Sequence, residues 1–241
     1  MSVKQKKQPV KLCSIDYSDD HAVSDQEAGK IIRLLDPFIS DDRKKKMDEA
    51  ILRRTGRITL ILDNLYDPHN GAAVLRSCDA FGVYSVYIIE NRNPFRASRR
   101  VTQGAHEWLV LHRYKNIGSC TRQLKAEGFR IVVFDHRGDT GPDEISDLLR
   151  DHPVALCFGN EHEGISPELG ESADYTARIP MQGFVSCLNV SVSAAVMLSR
   201  LRDGVGGDLN DREKLHLKAK WYMKCVRGSE NIIMRDTESS T

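Results

Sequence analysis

Asn70 and Arg76 stand at the two ends of the segment Asn70-Gly-Ala-Ala-Val-Leu-Arg76, an amide and a guanidinium that stays protonated at any working pH. Helical rise separates them by roughly 9 Å along one axis, so both can address one substrate. Two further segments add to this set. Phe158-Gly-Asn-Glu-His-Glu-Gly-Ile165 supplies Gly159 and the carboxylate of Glu161, and Ile179-Pro-Met-Gln-Gly-Phe-Val-Ser-Cys-Leu-Asn-Val-Ser191 supplies the amide of Asn189. The chemistry open to such residues is anion clamping by the guanidinium and positioning by the amides and the carboxylate. Taken singly, each has a plainer reading. Asn70 and Asn189 read as helix N-caps, Arg76 as a surface arginine, Gly159 as a strand-ending turn, and Glu161 as a loop carboxylate that binds backbone N–H groups.

All three segments fall where a strand gives way to a loop or helix, the place where open α/β sheets build ligand sites. Apolar runs at 58–62, 85–89, 130–134, 154–158 and 176–179 read as strands. Helical patterns lie between them at 71–81, 116–127, 143–150 and 189–201, with Gly82 and Gly128 as stops. The alternation predicts an α/β fold, a mainly parallel sheet with helices on both faces. Two amphipathic helices, 26–35 and 41–54, precede the first strand, the second closed by Gly56. A basic helix at 212–227 follows a Gly-rich break. Residues 1–24 are polar without clear periodicity and read as a mobile tail.

The chain has 241 residues and a formal net charge of +1, so total charge points to no partner. Its distribution is uneven. Residues 41–57 carry seven basic and four acidic side chains, and 211–227 carry six and two. Residues 139–174 hold ten acidic side chains against one basic. Basic ends around an acidic middle can present a phosphate-binding face at low net charge, although solvated helix faces give the same pattern. Six scattered cysteines, with no C-x-x-C pair, argue against a zinc site and against a disulfide scaffold. No apolar run approaches the roughly 18 residues of a membrane span, and the N-terminus has no signal-peptide core; the expectation is a cytoplasmic protein without metal or membrane.

The usual nucleotide fingerprints are missing: there is no G-x-x-x-x-G-K-[ST], and no G-x-G-x-x-G follows a strand, which disfavours a nicotinamide-dependent dehydrogenase. The three segments instead resemble motifs one, two and three of the SpoU branch of the SPOUT RNA methyltransferases, the SpoU/TrmH ribose 2′-O-methyltransferases. Leu62-Asp-Asn-Leu-Tyr-Asp-Pro-His-Asn70, Arg76-Ser-Cys-Asp-Ala-Phe-Gly-Val83 and Gly104-Ala-His-Glu-Trp108 extend the likeness over about residues 41–227.

That resemblance implies a C-terminal deep trefoil knot holding S-adenosylmethionine in a homodimer, with a methyl group passed to a tRNA ribose, the D-loop guanosine in particular. It implies four domain segments: tail 1–24, helical RNA-binding extension 25–56, knot domain 57–205, and basic helix and tail 206–241. Arg76, Asn70, Glu161 and Asn189 take the catalytic positions. Phe134, Gly159, Ile179, Met181 and Leu188 fall where the family grips the cofactor. Lys44, Lys45, Arg53, Arg54, Arg57, Lys218, Lys220 and Lys224 match the tRNA-binding extensions. Trp221 and Tyr222 are expected to pack rather than to stack on bases. Cys187 stands where relatives usually carry serine. Ribosomal RNA is the alternative substrate, and a non-catalytic RNA-binding module on the same fold is the alternative of a different class.

Overall fold

The computed structural model describes residues 23–95 and 102–239, so the expected tail lies, up to residue 22, outside the described residues. Ser24 and Glu27 form a reciprocal capping box that starts α1 (Asp25–Leu35), and α2 (Asp41–Leu52) follows a short 3-10 turn. The α/β body then runs β1 (Ile58–Asp63), α3 (Pro68–Ala80), β2 (Ser85–Ile89), β3 (Val110–Tyr114), α4 (Ile117–Ala126), β4 (Arg130–Phe134), α5 (Pro142–Asp151), β5 (Val154–Phe158), α6 (Pro167–Glu171), β6 (Tyr175–Ala177) and α7 (Val190–Arg202). Two helices close the described chain, α8 (Asp211–Cys225) and α9 (Ser229–Ser239).

Six strands form one parallel sheet in the order β3-β2-β1-β5-β4-β6. The two-residue period of a strand divides its apolar residues between both faces. Leu60, Leu62, Val86, Ile88, Leu156 and Phe158 point to the side packed by α3, α5 and α7. Ile61, Tyr87, Ile89, Ala155 and Cys157 point to the side packed by α4 and α6. Continuous apolar runs therefore arise because both faces are covered, as expected of buried parallel strands.

A third apolar cluster has no strand at its centre. Ala28, Ile31 and Leu35 of α1 and Met47 and Ile51 of α2 meet Leu217, Trp221 and Tyr222 of α8. The two helical extensions thus share a core, and Trp221 and Tyr222 are packing residues, as expected.

Local readings needed several corrections. Strand β3 was not anticipated because its interior, Leu111-His112-Arg113, is half-buried at the sheet edge and mostly polar. The last strand stops at Ala177 rather than 179, which frees residues 178–189 as an open connection to α7. Gly56 does not close α2: the helix ends at Leu52, and Thr55 already bridges to Val83. Helices α6 and α9 were missed as well, the first because it is short and polar.

Candidate active site

The three motif segments converge at the C-terminal ends of β1, β5 and β6. Asp67, not Asn70, caps α3: its carboxylate accepts the His69 N–H at 2.8 Å, with Pro68 at the first helical position. Asn70 therefore sits inside the first turn with its side-chain amide available. Its Nδ2 donates to Glu161 Oε1 at 2.8 Å, and its Oδ1 accepts from Asn189 Nδ2 at 3.0 Å. Asn189 does cap α7, its Oδ1 accepting the Ser191 N–H at 2.8 Å. One hydrogen-bonded chain, Glu161–Asn70–Asn189–Ser191, joins all three segments.

Glu161 also accepts the Tyr66 N–H at 2.9 Å and the Asp67 N–H at 3.4 Å. Its partners thus lie in, and just before, the Asn70–Arg76 segment. Arg76 is exposed one helical face away and makes no hydrogen bond or ion pair with the described residues. Among the four expected catalytic residues it alone stands outside the chain.

Beneath this chain lies a cavity of about 550 Å³. All five residues expected to hold the cofactor line it: Phe134, Gly159, Ile179, Met181 and Leu188. Phe134 and Phe158 stack with centroids 4.8 Å apart, giving the cavity an apolar aromatic wall. Glu161, Asn189, His136 and Cys187 add polar groups. Asp135, also in the lining, has its carboxyl held below the usual range by the Arg137 backbone N–H, which donates to it at 2.8 Å. Residues 179–188 make no backbone–backbone hydrogen bond with described residues, so their amides and carbonyls remain available. A half-apolar cavity of this size with a few polar groups suits a nucleoside-sized ligand.

Gly159 has a steric reason of its own to be glycine. A Cβ there would collide with the Gly164 carbonyl and the Ile165 nitrogen. The close approach is to its own loop, which folds back through the Asn160–Gly164 bridge with Gly164 at φ +72°.

Sequence reasoning missed the residues that hold the loops. Asp63, fully buried at the end of β1, accepts the Ser166 N–H at 2.7 Å and its hydroxyl at 2.6 Å. Asn160 donates to the Asn64 carbonyl at 2.7 Å and accepts the His162 N–H at 2.9 Å. Asn64 adopts φ +52° to turn its carbonyl inward. The available signal was an Asp-Asn pair closing an apolar strand, where a carboxylate without a structural partner would be costly.

The expected RNA-binding cations divide into three groups. Lys45 and Arg53 are exposed, Arg53 with a loose ion pair to Glu49 at 3.7 Å. Lys44, Lys218 and Lys224 pair with Asp36, Asp48 and Glu107 at 2.7, 2.7 and 2.8 Å, and Arg57 donates to the Leu149 carbonyl. Arg54 is buried and Lys220 half-buried, and both turn to protein partners. Arg54 is 4% exposed, bonded to Asp79 and to the Val83 carbonyl and lying over the Trp221 ring. Lys220 turns in to the Leu109 carbonyl, and burial pushes its ammonium down to about 8. Both are corrected to structural cations, because an α8 packed on α1 and α2 leaves these two positions facing inward.

Among the described residues no group of three His, Cys, Asp or Glu side chains is placed to hold a metal ion, and no helix is long and apolar enough to cross a membrane. Buried Cys78, Cys120 and Cys157 have their thiols pushed up by desolvation, Cys120 to about 12. Cys187, at the cavity, is exposed.

The sequence model of the SpoU rRNA Methylase family matches residues 57–199. The chain is 31% identical over 215 residues to the tRNA (guanosine(18)-2′-O)-methyltransferase of Borreliella burgdorferi, covering 86% of this chain and 97% of that one. It is similar to the crystal structure of the Aquifex aeolicus TrmH/SpoU tRNA modifying enzyme, with a TM-score of 0.69 and 28% identity over 78% of this chain and 98% of the other. An AdoMet-bound rRNA methyltransferase from Sinorhizobium meliloti is similar at a TM-score of 0.55 and 25% identity, covering 66% and 60%.

Proposed function

This chain belongs to the SpoU rRNA methylase family, and from that premise we propose that it methylates the ribose 2′-hydroxyl of the D-loop guanosine in tRNA. The observation that carries the reading is the hydrogen-bonded chain of Glu161, Asn70 and Asn189 at a cavity sized for a nucleoside cofactor. When bound, S-adenosylmethionine supplies a methyl group already activated on its sulfonium. Phe134, Ile179 and Leu188 would flank its adenosine, with the backbone of 179–188 offering donors and acceptors.

What remains for the protein is alignment and charge. Glu161 fixes the first turn of α3 by holding the Tyr66 and Asp67 amides and Asn70. Asn70 and Asn189 hold the two motif segments at a fixed separation, a frame on which the ribose oxygen would meet the methyl group in line. Arg76, uncommitted to any described residue, clamps the neighbouring phosphate and stabilises the developing alkoxide. Its guanidinium cannot serve as a base, so the proton leaves to phosphate or water.

The same proposal includes a trefoil knot formed by the 178–189 connection and α7, the division into a 57–205 catalytic body with extensions 25–56 and 206–241, and cytoplasmic action. It also includes a homodimer. Phe184, Val185, Val192 and Val196 are exposed on that connection and helix, an apolar surface that a second copy would cover. Lys45 and Arg53 contribute phosphate contacts without base specificity.

Transfer of a radiolabelled methyl group from S-adenosylmethionine to unmodified tRNA, with ribosomal RNA in parallel and nuclease mapping of the product, tests the reading. Label on a D-loop ribose is the expected result. Label on ribosomal RNA alone moves the substrate, and label on neither leaves a binding module.

A further inference from the structure

Tyr66 is 64% exposed although it lies one residue from the Asp67 cap and is tied by its own backbone to Glu161. Its ring meets that of His162 edge-on, with centroids 5.5 Å apart and planes at 69°. Both backbones are fixed: the Tyr66 N–H by Glu161, the His162 N–H by the Asn160 side chain. A large ring held in solvent on a rigid backbone loses apolar burial without the compensation of mobility. An exposed imidazole, His69, and an exposed guanidinium, Arg76, follow it on α3. Aromatic faces interleaved with uncommitted cations are the arrangement by which proteins hold unstacked nucleotides.

We infer that Tyr66, braced by His162, is a stacking platform for a nucleobase of the RNA substrate, at or next to the nucleotide that receives the methyl group. The inference rests on the proposed RNA methylation and adds the element that positions the base. A D-loop base must leave its stack for its ribose to reach a cavity beneath loops, and an exposed ring at that rim replaces the lost stacking. The Glu161 carboxylate links the two functions: its Oε1 accepts from Asn70 and its Oε2 from the Tyr66 amide, so the platform and the ribose-positioning amide move as one unit. Tyr66 is thus a positioning residue.

The test compares Tyr66→Ala, Tyr66→Phe and Tyr66→Trp with the wild type in the full chain, measuring methyl-transfer kinetics on tRNA, S-adenosylmethionine affinity by calorimetry, and oligomeric state by sedimentation. Tyr66→Ala is expected to lower kcat/KM for tRNA by about tenfold or more, from stacking of about 1–3 kcal/mol, with cofactor affinity unchanged. Tyr66→Phe and Tyr66→Trp keep most of the activity, because a face and not a hydroxyl is required. In Tyr66→Trp the added fluorescence is quenched by tRNA and not by heparin, a polyanion without bases. Unchanged kcat/KM in Tyr66→Ala, an equal loss in Tyr66→Phe, or equal quenching by heparin overturns the inference while leaving the methyltransferase reading intact. A loss of dimer in Tyr66→Ala also overturns it, by assigning the ring to a second copy. A wild type that methylates no RNA overturns the underlying reading and the platform with it.

Discussion

The helical layer made by α1, α2, α8 and α9 and the rim made by segments 64–70, 159–165 and 178–189 handle polar groups in opposite ways. In the layer many of the polar groups are committed, although Arg43, Lys45 and Lys46 of α2 stay exposed. Ser24 with Glu27 and Asn210 with Glu213 cap their helices reciprocally, and Lys30, Lys44, Lys218 and Lys224 are ion-paired. Trp108 and Trp221 meet edge to face, and the Trp221 indole N–H donates to the Trp108 carbonyl at 3.2 Å. At the rim, residues 179–188 have no described backbone partner and Phe184 is fully exposed, and Arg76, next to the rim on α3, has no described partner. The layer uses its caps and ion pairs for stability, and the rim, its side chains bonded to one another, leaves the 179–188 backbone open to ligands on a rigid support.

The sharpest way to break this comparison is to change one cation in each region. Arg76→Ala should lower methyl transfer by about 10² to 10³, the usual cost of removing one preorganised charge at a developing oxyanion. Because Arg76 has no described partner, its melting temperature and cofactor affinity should stay those of the wild type; a destabilised Arg76→Ala would place that residue on the structural side. Arg54→Ala should do the reverse. It removes the cation from a buried pair and leaves the Val83 carbonyl without its donor, at a cost of about 3 kcal/mol, or roughly 10 °C in thermal melting. Methyl transfer below the transition should survive. Loss of activity in folded Arg54→Ala would return this residue to the RNA-facing set.

A smaller effect separates the regions by pH. His112 on β3 stacks on Tyr87, centroids 4.4 Å apart, beside the α8 ammonium of Lys220, and burial followed by that charge pushes its imidazole down to about 4. The folded state therefore holds fewer protons than the unfolded one between the ordinary value near 6.5 and about 4. Stability from this group is complete above about 6.5 and is lost as pH falls toward 4, a total on the order of 2–3 kcal/mol. His112→Phe should flatten that part of the stability profile relative to wild type, as measured by denaturant melts at pH 7 and pH 4.5. Identical slopes in both proteins would show that the imidazole titrates normally.

These contrasts also explain what the amino-acid sequence disclosed. Strands β1, β2, β4 and β5 were legible because burial on both faces writes an unbroken apolar run, whereas edge strand β3 carries His112 and Arg113 and writes none. The site residues were legible as types, and seven of the nine expected catalytic and cofactor residues line one cavity. Their partners were not. Glu161 finds Asn70 across 91 positions and Arg54 finds Asp79 across 25, and local periodicity carries no trace of such pairings. For the same reason two basic helices read as separate RNA-binding extensions, when α1 and α8 in fact share a core that turns Arg54 and Lys220 inward. Asn70 was misread as a cap because Asp67-Pro68, three residues earlier, is the stronger start signal.

The least disruptive change probes the boundary between the two strategies. Cys187 lines the cavity, exposed, where the family resemblance leads one to expect serine, and its thiol donates no hydrogen bond to a described residue. Serine there adds a stronger donor at nearly the same volume. In a region whose backbone is left open to ligands, that donor has only the ligand to find. Cys187→Ser should thus leave thermal stability unchanged and tighten S-adenosylmethionine two- to threefold, about 0.5 kcal/mol, the low end for a neutral hydrogen bond open to water. A stability gain with unchanged cofactor affinity would show instead that the new hydroxyl pairs with the protein, and that the rim at this position follows the rule of the helical layer.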